Sequence, residues 1–171
     1  MTAIPEKVHA EEVHTGKGLT GKDHFVSLLR PLLTAIAGID LRAGDARRQV
    51  ERALPFRGGA VARVRKAAFA AVGSDWLLPK EGGGIRFGRV VKDEGGFSVD
   101  AVLMDKPGPK HRHPNGEVDL CFARAGSPRF DGSPEGWVVY GPDSTHVPTV
   151  TDGEMLILYF LPGGAIEFAK G

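Results

Sequence analysis

A single cysteine, Cys121, occurs in 171 residues, so no intrachain disulfide framework is available and a reducing compartment is the natural home. No stretch approaches the roughly 20 apolar residues that a membrane-spanning helix requires. Residues 1–12 mix charges with a proline and lack the apolar segment of a signal peptide. A soluble, cytoplasmic protein is therefore expected. An excess of one charge is missing as well: 22 Lys and Arg against 21 Asp and Glu leave a formal net charge of +1, which recruits neither nucleic acid nor an anionic membrane. The basic residues Arg42, Arg47, Arg48, Arg52, Arg57, Arg63, Arg65 and Lys66 crowd one stretch, but apolar positions alternate with them and the stretch reads as a solvated helix face. No glycine fingerprint lies between a strand and a helix, so no dinucleotide cofactor is expected. Internal repeats and low-complexity tracts are absent too.

What is present changes character near residue 73. Phe25, Leu28, Leu29, Leu32, Leu33 and Ile36 recur at helical spacing and predict a helix over 24–36. Pro31 lies inside it and lacks an amide donor, which predicts a kink or a fresh start. Asp45 is placed to cap a second helix that Pro55 closes, and an alanine-rich third helix is expected over 59–72, stopped by Gly73. Residues 1–20 show no periodicity and read as an arm or a disordered segment. Beyond residue 76, the runs 85–91, 97–104, 118–122, 137–140 and 155–161 are short and β-prone. Glycine and proline clusters such as 82–84, 107–109 and 162–164 separate them. Even spacing without intervening helices indicates an antiparallel sandwich or barrel. The expected organisation is an arm (1–20), a helical region (21–75) and a β-domain (76–171).

The chemistry concentrates in His111-Arg112-His113-Pro114-Asn115-Gly116-Glu117. Histidines two apart on a strand point to one face, and Pro-Asn-Gly can turn the chain so that Glu117 starts a partner strand beside them. Two imidazoles and a carboxylate then converge, a set suited to one divalent transition metal ion such as Fe, Mn, Ni or Zn. His146, after the turn at 141–145, is the candidate for a fourth ligand. On this phase Asp119 and Cys121 share the inward face with Glu117. Val118, Leu120 and Phe122 lie on the other face, under an apolar cover expected to be the first helix. Arg112, between two inward histidines, points away from the metal.

These residues resemble the cupin superfamily. Its first motif places Glu after His-x-His and three further residues, as His111, His113 and Glu117 stand here. Its second spaces glycine, proline and histidine much as Gly136, Pro142 and His146 do. Ser144 replaces a family glycine, His146 arrives one residue early, and Val150 stands where an asparagine often occurs. The resemblance implies a mainly β fold, a cupin-type double-stranded β-helix barrel with a helical N-terminal extension, and all four side chains on one metal. The segments HRHPNGEVDLCF, 126–132, GWVVYGPDSTHVPTV and LYFLPGGAIEF are similar to the 4-hydroxylaminobenzoate lyase family of nitroaromatic breakdown. That implies conversion of 4-hydroxylaminobenzoate to protocatechuate and ammonia, hence a small aromatic carboxylate as partner. Such a carboxylate calls for a basic residue, with Arg86, Arg89 and Arg63 all open. No catalytic acid or base is singled out, and homo-oligomerisation is left open. A metal-dependent dioxygenase or isomerase, and a non-enzymatic ligand sensor, are the competing readings of the same motif.

Overall fold

The computed structural model describes residues 20–170, so the arm expected over 1–20 lies, apart from Thr20, outside the described residues. The first periodic segment folds as α1, Gly21–Ala37. The Thr20 hydroxyl accepts from the Asp23 amide at 3.1 Å, satisfying a donor that the first turn leaves without an intrahelical partner. The helix continues through Pro31, so of the two expectations the fresh start does not occur. Pro31 is exposed while Leu29, Leu32, Leu33 and Ile36 are buried. Each such burial contributes roughly 1.5–3 kcal/mol, together more than the ~3 kcal/mol that an interior proline costs.

Two shorter helices follow, α2 (Ala46–Ala53) and α3 (Gly59–Ala70). Asp45 does stand at the start of α2, but its carboxylate accepts from the Gln49 side-chain amide at 2.7 Å and makes no bond to a helix-end amide. No helix among the described residues is long and apolar enough to cross a membrane.

Among the described residues, nine strands make two antiparallel sheets. They are β1 (Lys80–Gly82), β2 (Ile85–Glu94), β3 (Phe97–Met104), β4 (His111–His113), β5 (Glu117–Phe130), β6 (Gly136–Tyr140), β7 (Ser144–His146), β8 (Val150–Pro162) and β9 (Glu167–Phe168). The large sheet has the order β1-β2-β3-β8-β5-β6 and the small one β7-β4-β9. This is the mainly β architecture, with N-terminal helices, that the sequence leads one to expect. One local detail differs. The turn after His113 does not fold β4 back onto β5 as a hairpin: β4 pairs with β7 and β9, whereas β5 pairs with β6 and β8. The chain crosses between sheets here. Gly116 permits the crossing, because its φ is +85° and a Cβ would stand 2.8 Å from the Tyr140 carbonyl oxygen.

Residues directly opposite one another in antiparallel strands share a face, and the two faces of the large sheet enter separate clusters. Val99, Ala101, Leu103, Val118, Leu120, Phe122, Leu156, Leu158 and Phe160 belong to one apolar core with the helices. This is the phase expected for β5. The cover is shared, however: Phe122 meets Phe56 and Phe69 at ring separations of 5.9 and 6.1 Å, while α1 packs on β2 and α3. Trp137 ties the barrel to this layer by donating from its indole N–H to the Leu54 carbonyl at 2.8 Å. On the inner face Met104, Cys121, Val138, Met155, Ile157, Tyr159 and Leu161 form a second cluster.

Candidate metal centre

His111 and His113 occupy the two ends of β4, and His146 ends β7. The register places His111 opposite His146. Glu117 opens β5 on the facing sheet. All four converge: one potential ligand atom from each lies within 4.8 Å of the others. His111, His113 and Glu117 are buried, with Glu117 and His113 sealed from solvent, and His146 is partly exposed.

Proton positions follow from the outer partners of the rings. His111 Nδ1 lies 3.0 Å from the Pro109 carbonyl oxygen, a group that can only accept. His146 Nδ1 lies 2.7 Å from an Asp131 carboxylate oxygen, whereas His113 Nδ1 lies 2.8 Å from Glu117 Oε2 without hydrogen-bond geometry. At His111 and His146 a proton on Nδ1 leaves the Nε2 lone pair free. The three Nε2 atoms point at one another, with His146 Nε2 3.0 Å from both His111 Nε2 and His113 Nε2. Converging lone pairs repel unless a cation stands among them. Two nitrogens that each reach about 2.1 Å to one ion can stand no more than about 4.2 Å apart, so the observed 3.0 Å spacing is within reach of a single ion. Neither oxygen of buried Glu117 finds a hydrogen bond of acceptable geometry, and a buried carboxylate without a partner is costly. The donor set therefore fits a divalent transition metal, and these four residues could hold one.

Electrostatics point the same way. Burial, reinforced by the neighbouring His113 and His146, lowers the His111 pKa to about 4, so its ring stays neutral and able to ligate at ordinary pH. Asp119, two residues along β5 from Glu117, is wholly buried without a hydrogen-bond partner. Burial and the Glu117 charge raise its carboxyl well above the usual carboxylate range. Burial likewise raises the Cys121 thiol, which removes it from consideration as a nucleophile.

Asp131 was not singled out in the sequence, although it lies within the 126–132 segment. Its carboxylate accepts from the His146 ring, from the Tyr140 hydroxyl and, at 2.8 Å, from the Thr149 amide. Burial opposes ionisation of Asp131, yet these bonds bring its pKa below the ordinary value. It is thus a charged acceptor that fixes the ring of His146. The available signal was its place in Phe-Asp-Gly, with φ at +47°, a left-handed conformation that Asp tolerates better than most residues. Arg112 turns outward as expected, pairing with Glu167 and Asp143.

A cavity of about 720 Å³ opens onto the centre and is lined by His111 and Glu117. Its walls are mainly apolar, with Val102, Met104, Leu161, Ile166 and Phe168 among them, and Arg89, Asp100 and Lys80 on the same lining. The dimensions suit a small molecule. Arg86 is excluded, since it donates to the Val72 carbonyl on the helical side.

Facing antiparallel sheets with three histidines and a glutamate on their inner wall define a cupin. Within that class, residues 44–168 match the family model described as PnbB, 4-hydroxylaminobenzoate lyase. The chain belongs to the 4-hydroxylaminobenzoate lyase family. Proteins of that name from Pseudomonas putida and from Nocardioides sp. (strain LMS-CY) are 31% and 35% identical, each over 42% of this chain. The matches cover 50% and 47% of those proteins, so the chain spans about half the length of the curated relatives it matches. Among solved structures, an RmlC-like cupin from Shewanella frigidimarina is similar at 20% identity and a TM-score of 0.40, covering 53% of this chain and 86% of that one. A chain from the complex of Rhodobacter sphaeroides SigE with the anti-sigma ChrR is similar at 15% identity and a TM-score of 0.46, covering 82% and 94%.

Proposed function

We propose that this protein converts 4-hydroxylaminobenzoate to protocatechuate with release of ammonia, using one divalent transition metal ion held by His111, His113, Glu117 and His146. The observation that carries this reading is the His/His/Glu/His cluster opening onto a mainly apolar cavity. Membership of the 4-hydroxylaminobenzoate lyase family supports this choice of substrate. On this reading residues 21–75 form the cover and 76–171 the barrel that carries the chemistry. The reaction balances with one water taken up and one ammonia lost. Cleavage of the substrate N–O bond supplies the oxidising equivalents for ring hydroxylation, so no nicotinamide or flavin is needed. His111, His113, Glu117 and His146 would hold the ion, one of Fe, Mn, Ni or Zn, which when bound would supply Lewis acidity at the reacting end of the cavity.

The side chains divide the remaining tasks. Val102, Leu161 and Phe168 hold the ring and exclude bulk water. Asp119, wholly buried behind the cavity wall beside Glu117, keeps its proton more tightly than an exposed aspartate and so adds no second charge next to that ligand. Tyr140, whose hydroxyl bonds Asp131, is held in its protonated form by burial and by that carboxylate, and so steadies the group behind His146.

The test is product analysis with the metal-loaded full chain. Protocatechuate and ammonia are expected in equal amounts, with both lost on chelation and in His113→Ala. Metal-replete protein that makes neither product refutes the lyase reading.

A further inference from the structure

We propose that Arg89, held in place by Asp100, receives the carboxylate of the substrate, so that the cavity selects aromatic acids whose reactive nitrogen lies across the ring from that carboxylate. The proposal rests on the reading above for the reacting end of the molecule, and on independent geometry for the other end.

The register fixes the direction of the side chain. Arg89 lies opposite Asp100, Asp100 opposite Tyr159, and Tyr159 opposite Asp119. Opposite residues share a face, so Arg89 projects from the inner face, on the row that passes next to Glu117. Arg86 is opposite Leu103, which belongs to the core shared with the helices.

The hydrogen bonds fix what is left over. Arg89 donates from Nε to Asp100 Oδ1 at 2.7 Å and from Nη2 to Asp100 Oδ2 at 3.1 Å. A guanidinium carries five N–H donors, and this clasp engages only one edge of the fork. Among the described residues the Nη1 group and the second Nη2 proton are left for another planar acceptor, the geometry in which arginine recognises carboxylates. Asp100 cancels much of the net charge, so selection here depends on the aimed donors more than on long-range attraction. Lys80, exposed at the rim of the same cavity, adds positive charge without such a clasp.

The span agrees with one ring. Arg89 on β2 and Glu117 on β5, both on the cavity lining, lie three strand spacings apart in the sheet order, roughly 14 Å measured along the sheet. Side chains reaching in from both ends leave room for a benzene ring with substituents at opposite positions. A substrate bearing both groups on one side would reach only one end.

The proposal is tested with metal-loaded full-length protein and two inert probes, 4-aminobenzoate and its neutral isostere 4-aminobenzamide, titrated calorimetrically. The parent is expected to prefer the acid by roughly 10- to 100-fold, the range of a charge-assisted pair. Arg89→Gln should erase that preference and raise KM for the hydroxylamino acid more than it lowers kcat. Arg89→Lys should restore part of the preference, and Asp100→Asn should weaken it while keeping the cation. Metal stoichiometry and thermal unfolding identify any variant that fails to fold; the conservative pair then decides. Equal affinity of the parent for acid and amide, or an acid preference unchanged in Arg89→Lys and Asp100→Asn, overturns the proposal. An Arg89-dependent acid preference without protocatechuate or ammonia would uphold it and remove the lyase reading. Product formation with KM indifferent to Arg89 would do the reverse.

Discussion

The two faces of the large sheet are built from the same strands and follow opposite rules. On β5, Val118, Leu120 and Phe122 enter a wholly apolar core with the helices, while Glu117, Asp119 and Cys121 alternate with them toward the cavity. Ser98, Glu117 and Asp119, the buried polar residues of this sheet, all lie on the inner face, as the cross-strand register requires, and His111 and His113 approach that face from the small sheet. A period of two lets one strand serve both ends. The helical face gains its free energy from dry burial, and the inner face carries unpaired polar groups that a folded chain otherwise avoids. The helical layer is thus more than an appendage: it supplies an apolar partner for one face, while the other combines apolar walls with the buried polar groups.

The largest expected effect tests whether the helical face is purely structural. Phe122→Ala removes an aromatic ring fully buried between Phe56 and Phe69 and should cost about 3–5 kcal/mol in urea unfolding. The fraction that stays folded should bind metal at the parental stoichiometry. Loss of metal without loss of stability would break the division of labour between the faces.

A smaller effect is expected behind the centre itself. Asp131→Asn replaces the charged acceptor of the His146 ring and should weaken metal affinity about 10- to 100-fold, as loss of outer-shell support commonly does. Competition against a chelator measures this directly. Parental affinity in the variant would mean that His146 needs no orientation from outside.

Much of this division was legible before any coordinates. The β3 run 97–104 matches the observed strand, Phe97–Met104, because its β-branched and aromatic residues are bounded by Gly95-Gly96 and Pro107. The inward phase of Glu117, Asp119 and Cys121 follows from alternation alone. Other features depend on partners distant in sequence. The far half of β5, from Ala123 to Phe130, contains Gly126, Ser127 and Pro128 and has little strand propensity; its pairing with β8, across two register shifts, holds it extended. The sheet crossing at Gly116 was also hidden, since Pro-Asn-Gly suits a hairpin equally well and only β7 and β9 claim β4 instead. Asp131 stayed silent because its role exists only where a strand end meets His146 in space.

A pH experiment sharpens the contrast within one strand. In the metal-free folded protein Asp119 retains a proton that the unfolded chain releases near its ordinary pKa of 3.8. The folded state therefore binds more protons, and the Asp119 contribution to stability falls as pH rises from that value through the raised folded pKa. Asp119→Asn has no such loss. The difference in urea midpoint between variant and parent should open in favour of the variant as pH rises, then stay constant. A gap independent of pH would show that Asp119 is ionised in the folded state and compensated.

The smallest expected effect concerns an arginine that adjacency in sequence would place at the centre. Arg112 lies between His111 and His113, yet strand alternation turns it outward to Glu167 and Asp143. Those carboxylates, rather than the four-residue cluster or the cavity, hold its charge and raise its pKa. Surface pairs of this kind contribute little, since solvent screens them and ordering the side chains offsets the attraction. Arg112→Ala should leave metal stoichiometry and KM for the aromatic acid at parental values, with only a slight change in thermal unfolding. Arg89→Gln, which removes the same residue type from the inner face, should raise KM strongly. Measured side by side, the two variants separate position on the sheet from residue identity. A KM increase in Arg112→Ala comparable to that in Arg89→Gln would mean that charge near the mouth, on either face, suffices to attract the substrate, and that the clasp between Arg89 and Asp100 confers no selectivity of its own.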